Sequence, residues 1–338
     1  MALQALDFQN IFLQALQAEA FALCEYKGDL SDLDSIINLL LNIQGKLVLI
    51  GVGKSGLVAQ KIAATFSSTG TPSFFIHPTE AMHGDLGMLD SKDCVLAISY
   101  SGESEEIINI LPHIKRQKIP IITFSKAKDS TMSLMGDYFL PITITQEACP
   151  IQAAPTTSTT LTMAMGDALA ICLMRAKNFS KEDFAMFHPG GSLGRELFVK
   201  VSDIMQTHNL PLLSTTNSLK EAIVTMTQGR LGSAFFVDSN QCLLGVLSDG
   251  DLRRAMFDKH FSLESRAFDY ATKTPKVIKD SNTLAIQALN IMQDSKIQIL
   301  PIVSAHNVLE GVVHLHTLLQ AGFKLDSSTD KPNNCLSY

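Results

Sequence analysis

Five short apolar runs in roughly the first 150 residues constrain this chain more than any other feature. They are KLVLIGV (46–52), SFFIHP (73–78), CVLAISY (94–100), PIITFS (120–125) and YFLPIT (138–143). Each is too short for an ordinary helix and apolar at successive positions, as strands buried on both faces are. Helical patterns run over 55–66, 104–118 and 158–177. Strands alternating with helices imply βαβ units, so the expected fold is α/β, a layered sandwich around a parallel sheet. Ligands of such sheets bind where the strands lead into helices.

Beyond about residue 200 an internal repeat takes over. Residues 218–255 align with 283–321 at an offset of 66, matching Met226 to Met292, Val237 to Val303 and Gly245 to Gly311. Each copy reads helix, strand, turn, strand, helix. Two such units cannot easily bury their apolar faces alone, so they should pack on each other. His314-Leu315-His316 falls on a predicted strand, which would point the two rings to opposite faces. The tail from 323 is polar and expected to lack structure.

A chain of 338 residues suggests two or three domains, and 46% hydrophobic residues supply ample core. The net charge of −6 argues against general nucleic-acid binding, which needs a basic face. Six cysteines without a C-x-x-C pair favour reduced thiols in the cytoplasm. The N-terminus lacks the basic start and unbroken apolar stretch of a signal peptide. Its Leu3, Leu6, Ile11, Leu13, Leu16, Ala20 and Leu23 recur at helical spacing and predict an amphipathic helix. With no run of about 18 apolar residues, no membrane span is expected.

The first strand ends in Gly51-Val52-Gly53-Lys54-Ser55-Gly56. A triphosphate loop would need Gly at 48, where this chain has Val48. A dinucleotide site wants a carboxylate at the end of the second strand, and the first one, Glu80, comes three residues after His77. A loop that grips a phosphate gains from a second turn, Ser99-Tyr100-Ser101-Gly102-Glu103-Ser104, at another strand-to-helix junction. Serine hydroxyls and helix N-terminal amides there form an anion site. Ordinary N-capping is the competing explanation for any one serine. Two such turns on one parallel sheet favour phosphate.

GVGKSG, HGDLGML, SYSGESEEI, EACPIQAAPTTSTT and FHPGGSLGR together resemble the sugar isomerase (SIS) domain. With the doubled module, about residues 40–322 resemble the D-arabinose 5-phosphate isomerases of Gram-negative bacteria, and the repeat resembles a pair of CBS modules. The resemblance implies an SIS domain over 1–200, CBS modules over 203–262 and 268–322, and a tail over 323–338. It further implies interconversion of D-ribulose 5-phosphate and D-arabinose 5-phosphate at the start of Kdo synthesis for lipopolysaccharide, in a homotetramer.

Such an isomerisation moves a proton between neighbouring carbons through an enediol. It requires a base, a group that stabilises the enediolate, and a grip on the phosphate. It needs no redox cofactor, and no metal is chemically required. Similarity to the family's motifs points to Lys54, Glu106, Glu147 and His188. Glu147 is the expected general base, its pKa raised toward neutrality by burial. His188 would shuttle protons on sugar oxygens, in a tetramer from a neighbouring subunit, and Lys54 would face the developing enediolate. Glu106 would pair with Lys54 or hold a sugar hydroxyl. Ser55, Ser99, Ser101, Gly102 and Ser104 are the expected phosphate and sugar contacts, with His83 lining the site. In the repeat, Ser248 and Asp251 fit the CBS positions that contact a nucleotide ribose, whereas the second copy has His314 and Thr317 there. Two rivals remain, an isomerase of a hexulose phosphate and a non-catalytic sugar-phosphate sensor. The sensor would ordinarily carry a DNA-binding module, which this sequence does not show.

Overall fold

The computed structural model describes residues 7–325. These divide into two compact units after Phe187, and each is described by itself.

The first unit begins with helices α1 (Phe8–Cys24) and α2 (Leu33–Asn42). An alternating series follows: β1 (Leu47–Gly51), α3 (Gly53–Ser68), β2 (Ser73–Ile76), α4 (Pro78–Met82), β3 (Cys94–Ile98), α5 (Glu105–Arg116), β4 (Ile121–Ser125), α6 (Thr131–Leu134) and β5 (Tyr138–Pro141). Helices α7 (Thr157–Ala176) and α8 (Lys181–Phe187) close the unit. All five predicted strands form, and they make one wholly parallel sheet of order β2-β1-β3-β4-β5. Every residue of β1, β3 and β4 is buried because helices cover both faces. Leu47, Leu49, Leu96 and Ile98 face a core shared with Ile36 of α2, Phe66 of α3 and Leu169 of α7. The alternate residues Val48, Ile50, Val95 and Ala97 face Ile107, Ile110 and Ile114 of α5 and Met132 of α6. The strand order reverses direction between β1 and β3, and that switch point is where α/β sheets open a ligand crevice.

Helix α7 is long and apolar enough by composition to cross a bilayer. It instead contributes Leu161, Met165, Leu169 and Leu173 to the core. Helix α1 forms where the spacing predicts a helix. None of its residues is buried, and Phe8, Phe12 and Phe21 are each at least 60% exposed. It lies along α7 and meets it through a hydrogen bond from Thr160 Oγ1 to Glu19 Oε2 of 2.9 Å. Its large apolar side chains at 8, 12 and 21 are left uncovered by this unit.

The second unit holds α9 (Ser192–Phe198), β6 (Leu212–Leu213), α10 (Leu219–Gly229), β7 (Ser233–Val237), β8 (Leu243–Ser248), α11 (Asp249–Ala255), α12 (Ala285–Ser295), β9 (Ile299–Val303), β10 (Leu309–His314) and α13 (Leu315–Gln320). The offset of 66 carries α10 onto α12, β7 onto β9 and β8 onto β10 residue for residue. Even the left-handed helix ends coincide, Arg230 with φ 54° and Lys296 with φ 52°. The copies pack on each other through Phe235, Leu243 and Val246 against Ile299, Val303 and Val312. Their turns exchange reciprocal bonds of 2.9 Å, Leu243 N–H to Asn307 O and Leu309 N–H to Gln241 O.

Three details depart from the sequence reading. The unit begins at His188, ahead of the change in texture near 200, because Val201 N–H binds Thr283 O and Ala285 N–H binds Val199 O, each at 2.8 Å. Strand β10 stops at His314, whose Nδ1 accepts the His316 N–H at 3.0 Å and so caps α13. The histidine pair therefore straddles a cap and does not alternate on a strand. Phe323, at the start of the expected tail, is buried in the core of the second copy. The remainder of that tail, from 326, lies outside the described residues, as do Leu3 and Leu6.

Candidate active site

The turns after β1 and β3 stand side by side, since these strands are hydrogen-bonded neighbours with Gly51 opposite Ile98. The glycines of GVGKSG make the first turn possible. Gly53 adopts φ 57°, and a Cβ on Gly56 would stand 2.8 Å from Gly51 O. Ser55 lies inside the first turn of α3, not at its opening, because the cap position falls at Val52. Lys54 is exposed.

The second turn is a hydroxyl cluster. Ser104 is the N-cap residue of α5, yet its side chain makes no cap bond. It meets Ser99 Oγ at 2.9 Å, and Ser101 Oγ lies 3.5 Å from Ser99 Oγ. Gly102 N–H donates to Ser99 Oγ at 3.2 Å, and Glu103 N–H to Ser101 Oγ at 3.2 Å. The first α5 amides thus receive no serine hydroxyl as a cap, an arrangement suited to an outside anion. Gly102 has φ 72° and lies against Ser130, so a Cβ there would stand 2.2 Å from Ser130 Oγ. Glu103 accepts the Thr131 N–H at 2.9 Å, which holds its carboxyl below the usual range. Glu106 is exposed on the first turn of α5. No Lys54–Glu106 ion pair forms among the described residues.

Glu147 follows β5 and is only 9% exposed. Its Oε2 accepts Thr156 N–H at 2.8 Å, Thr156 Oγ1–H at 3.1 Å and Ser158 N–H at 3.1 Å. Thr156 makes no side-chain cap of its own, so Glu147 caps the 20-residue α7 from nine residues upstream. Gln152 secures the loop by accepting Glu147 N–H and donating to Glu147 O, both at 2.9 Å. The expectation of a raised pKa is corrected here. Burial does push the carboxyl up, but hydrogen bonds from Ser158 and Thr156 together outweigh it and hold Glu147 below its usual 4.5.

Tyr100 was missed in the sequence. It sits inside the serine turn, and its phenol is pushed up by burial and then by the Glu147 charge. The two groups are thus within electrostatic reach of each other. An aromatic residue in a strand-end run reads as core, so only the fold gives it away.

The structure therefore gathers Lys54, Ser55, Ser99, Ser101, Gly102, Ser104, Glu106 and Glu147 on strand ends and the loop after β5. His83 lies elsewhere on the same edge as the exposed residue ending α4. His188 is the first residue of the second unit. Ser248 and Asp251 are engaged with each other. Ser248 Oγ donates to Asp251 Oδ2 at 2.6 Å and accepts the Asp251 N–H at 3.2 Å, a capping box at the start of α11.

A parallel sheet of this order, followed by a doubled module of this register, defines an SIS-domain protein carrying a CBS pair. The SIS-domain profile matches residues 40–172, and the CBS-domain profile matches 201–258 and 267–324. An uncharacterised Helicobacter pylori protein is 54% identical over 324 residues, 94% of this chain and 98% of that one. Arabinose 5-phosphate isomerase KdsD of Yersinia pestis is 45% identical over 318 residues, covering 94% and 96% of the two chains. The Escherichia coli K12 KdsD is 43% identical over 327 residues, with the same coverage. Among solved structures, an E. coli CFT073 protein in complex with A5P is 40% identical with a TM-score of 0.53, over 55% of this chain and all of that one. The chain belongs to the arabinose 5-phosphate isomerase family.

Proposed function

We propose that this protein interconverts D-ribulose 5-phosphate and D-arabinose 5-phosphate through an enediol, as the first step toward Kdo and lipopolysaccharide. The carrying observation is the buried Glu147 carboxylate on the loop after β5, at the same edge of the parallel sheet as the hydroxyl-lined turn at its switch point. Full-length relatives named as arabinose 5-phosphate isomerases support the substrate.

The serine turn and the α5 amides hold the phosphate, with Ser55 of the neighbouring turn completing the grip. His83 lines the sugar-binding region. Glu147, ionised at neutral pH, takes the proton from the carbon beside the carbonyl. Lys54 stabilises the enediolate oxygen, Glu106 holds a sugar hydroxyl, and His188 moves protons between the two oxygens, from a neighbouring subunit of a tetramer. The reaction runs in the cytoplasm without a cofactor. A base of depressed pKa is a weak one, so substrate binding must loosen a Thr156 or Ser158 donor for Glu147 to act. The bare apolar face of α1 supports assembly of several subunits.

A second reading concerns the repeat. A cavity of about 570 Å3 is lined by Ser248, Asp251, Arg253, Lys276, Lys296 and His314, among others. Its cations and apolar walls suit a nucleotide, although Asp251 already serves Ser248.

Proton NMR of the protein with D-arabinose 5-phosphate in D2O, beside Glu147→Gln, tests the main reading. Ribulose 5-phosphate deuterated at the exchanging carbon, and lost in the variant, is the expected result. No conversion of that sugar, with turnover of a hexulose phosphate, would overturn the substrate; binding without turnover of either would make the protein a sensor.

A further inference from the structure

The segment from His188 to Phe198 contains an arginine that the proposed chemistry leaves unused. Gly191 N–H donates to His188 O at 3.0 Å and closes a turn over 188–191. Helix α9 presses directly on that turn. A Cβ on Gly194 would stand 2.5 Å from His188 O and 2.8 Å from Pro189 O, so only glycine permits the approach. From the next position, Arg195 Nη1 donates to Gly190 O at 2.6 Å. The same guanidinium lies against Gly322, immediately beyond α13. A Cβ on Gly322 would stand 2.9 Å from Arg195 Nε and 3.1 Å from its Cζ, and Gly322 has φ 88°. Arg195 Nε is buried with no hydrogen-bond partner. A buried unsatisfied donor costs stability, and structures keep one where another role requires the group in place.

We propose that Arg195 is a positioning residue for His188. It clamps the 188–191 turn to the end of the second repeat, so that His188 is carried by the C-terminal unit as a rigid attachment. This rests on the reading above that His188 moves protons during isomerisation. Through the same clamp, any displacement of α13 is transmitted to His188.

The test uses the full chain with D-arabinose 5-phosphate and compares Arg195→Met, Arg195→Lys, His188→Ala and Arg195→Met/His188→Ala. Expected are a kcat at least tenfold lower in Arg195→Met with KM within twofold, and partial rescue in Arg195→Lys, whose ammonium can still reach Gly190 O. The double variant should be no slower than His188→Ala alone, because coupled groups fail to add. An inactive His188→Ala beside a fully active Arg195→Met would overturn the clamp alone. An active His188→Ala would overturn the histidine's role and the clamp with it. Additive losses in the double variant, or a raised KM with unchanged kcat, would also overturn it. Should Arg195→Met not fold, Arg195→Lys against Gly322→Ala carries the same comparison: kcat falling in Gly322→Ala at constant KM supports the clamp, and unchanged kcat overturns it.

Discussion

Glu147 accepts the Thr156 main-chain N–H at 2.8 Å, and this one contact joins the proposed base to the start of the longest helix in the first unit. The pH dependence of the reaction should expose it. The profile of kcat/KM reports the free enzyme, where Glu147 is clamped, so its acid limb should fall below pH 4.5. The profile of kcat reports the complex, and its acid limb should lie higher once a donor has loosened. Coincident limbs would show that the clamp persists through the reaction.

Stability should separate two substitutions that activity does not. Glu147→Gln keeps an oxygen to accept the Thr156 and Ser158 amides, whereas Glu147→Ala leaves the α7 terminus bare. Loss of a cap costs about 1–2 kcal/mol, roughly 2–8 °C in the melting of the unit. Calorimetry should find Glu147→Ala the less stable, with both variants slowed about 10²–10⁴-fold. Because the folded pKa lies below the unfolded one, the native stabilisation from this carboxylate is complete above pH 4.5 and is lost as pH falls through the folded value. Glu147→Gln should flatten that acid-side decline in a series of melts.

Gly102 is the tightest point of the serine turn. Gly102→Ala asks an L-residue to adopt φ 72° with its Cβ 2.2 Å from Ser130 Oγ. The turn must shift, and KM for the phosphosugar should rise about tenfold, near 1.4 kcal/mol of lost binding. Ser130→Gly in the same chain removes the obstructing side chain and should recover part of the loss.

Thiol chemistry should rank the cysteines by environment. Burial, then the Asp137 and Asp93 charges, push Cys94 up to about 12, so it should resist alkylation in the folded protein. Backbone N–H groups of Ala154, Ile151, Ala153 and Gln152 lower Cys149, which should react first with iodoacetamide near neutral pH. Peptide mapping after brief labelling gives the order, and early labelling of Cys94 would contradict the buried placement.

Much of the architecture was readable because period and offset are local properties. Unbroken apolar runs marked strands covered on both faces, and the 66-residue offset located each repeat element. Tyr100 and the Glu147–Thr156 cap were not readable, since both depend on segments brought together by the sheet. The direction of the Glu147 pKa failed for the same reason: burial can be guessed from apolar neighbours, but the donors come from a helix nine residues on. Arg195 carries no signal in the sequence, because its contact with Gly322 joins segments far apart in the chain. Helix α1 shows the opposite limit, because its spacing revealed an apolar face without revealing what that face meets.

The two repeats begin their last helices at equivalent places with unlike acceptors, Ser248 in one and His314 in the other. A hydroxyl does that task at any physiological acidity. An imidazole does it only while its lone pair is free, and burial, with His316 nearby, holds His314 below its usual 6.5. As pH drops beneath that figure the unfolded chain takes up a proton that the folded one resists, so the stability this cap contributes is lost. Duplication thus left the twin halves with helix starts of unequal tolerance to acid, and the sensitive one opens α13, beyond whose end Arg195 lies against Gly322.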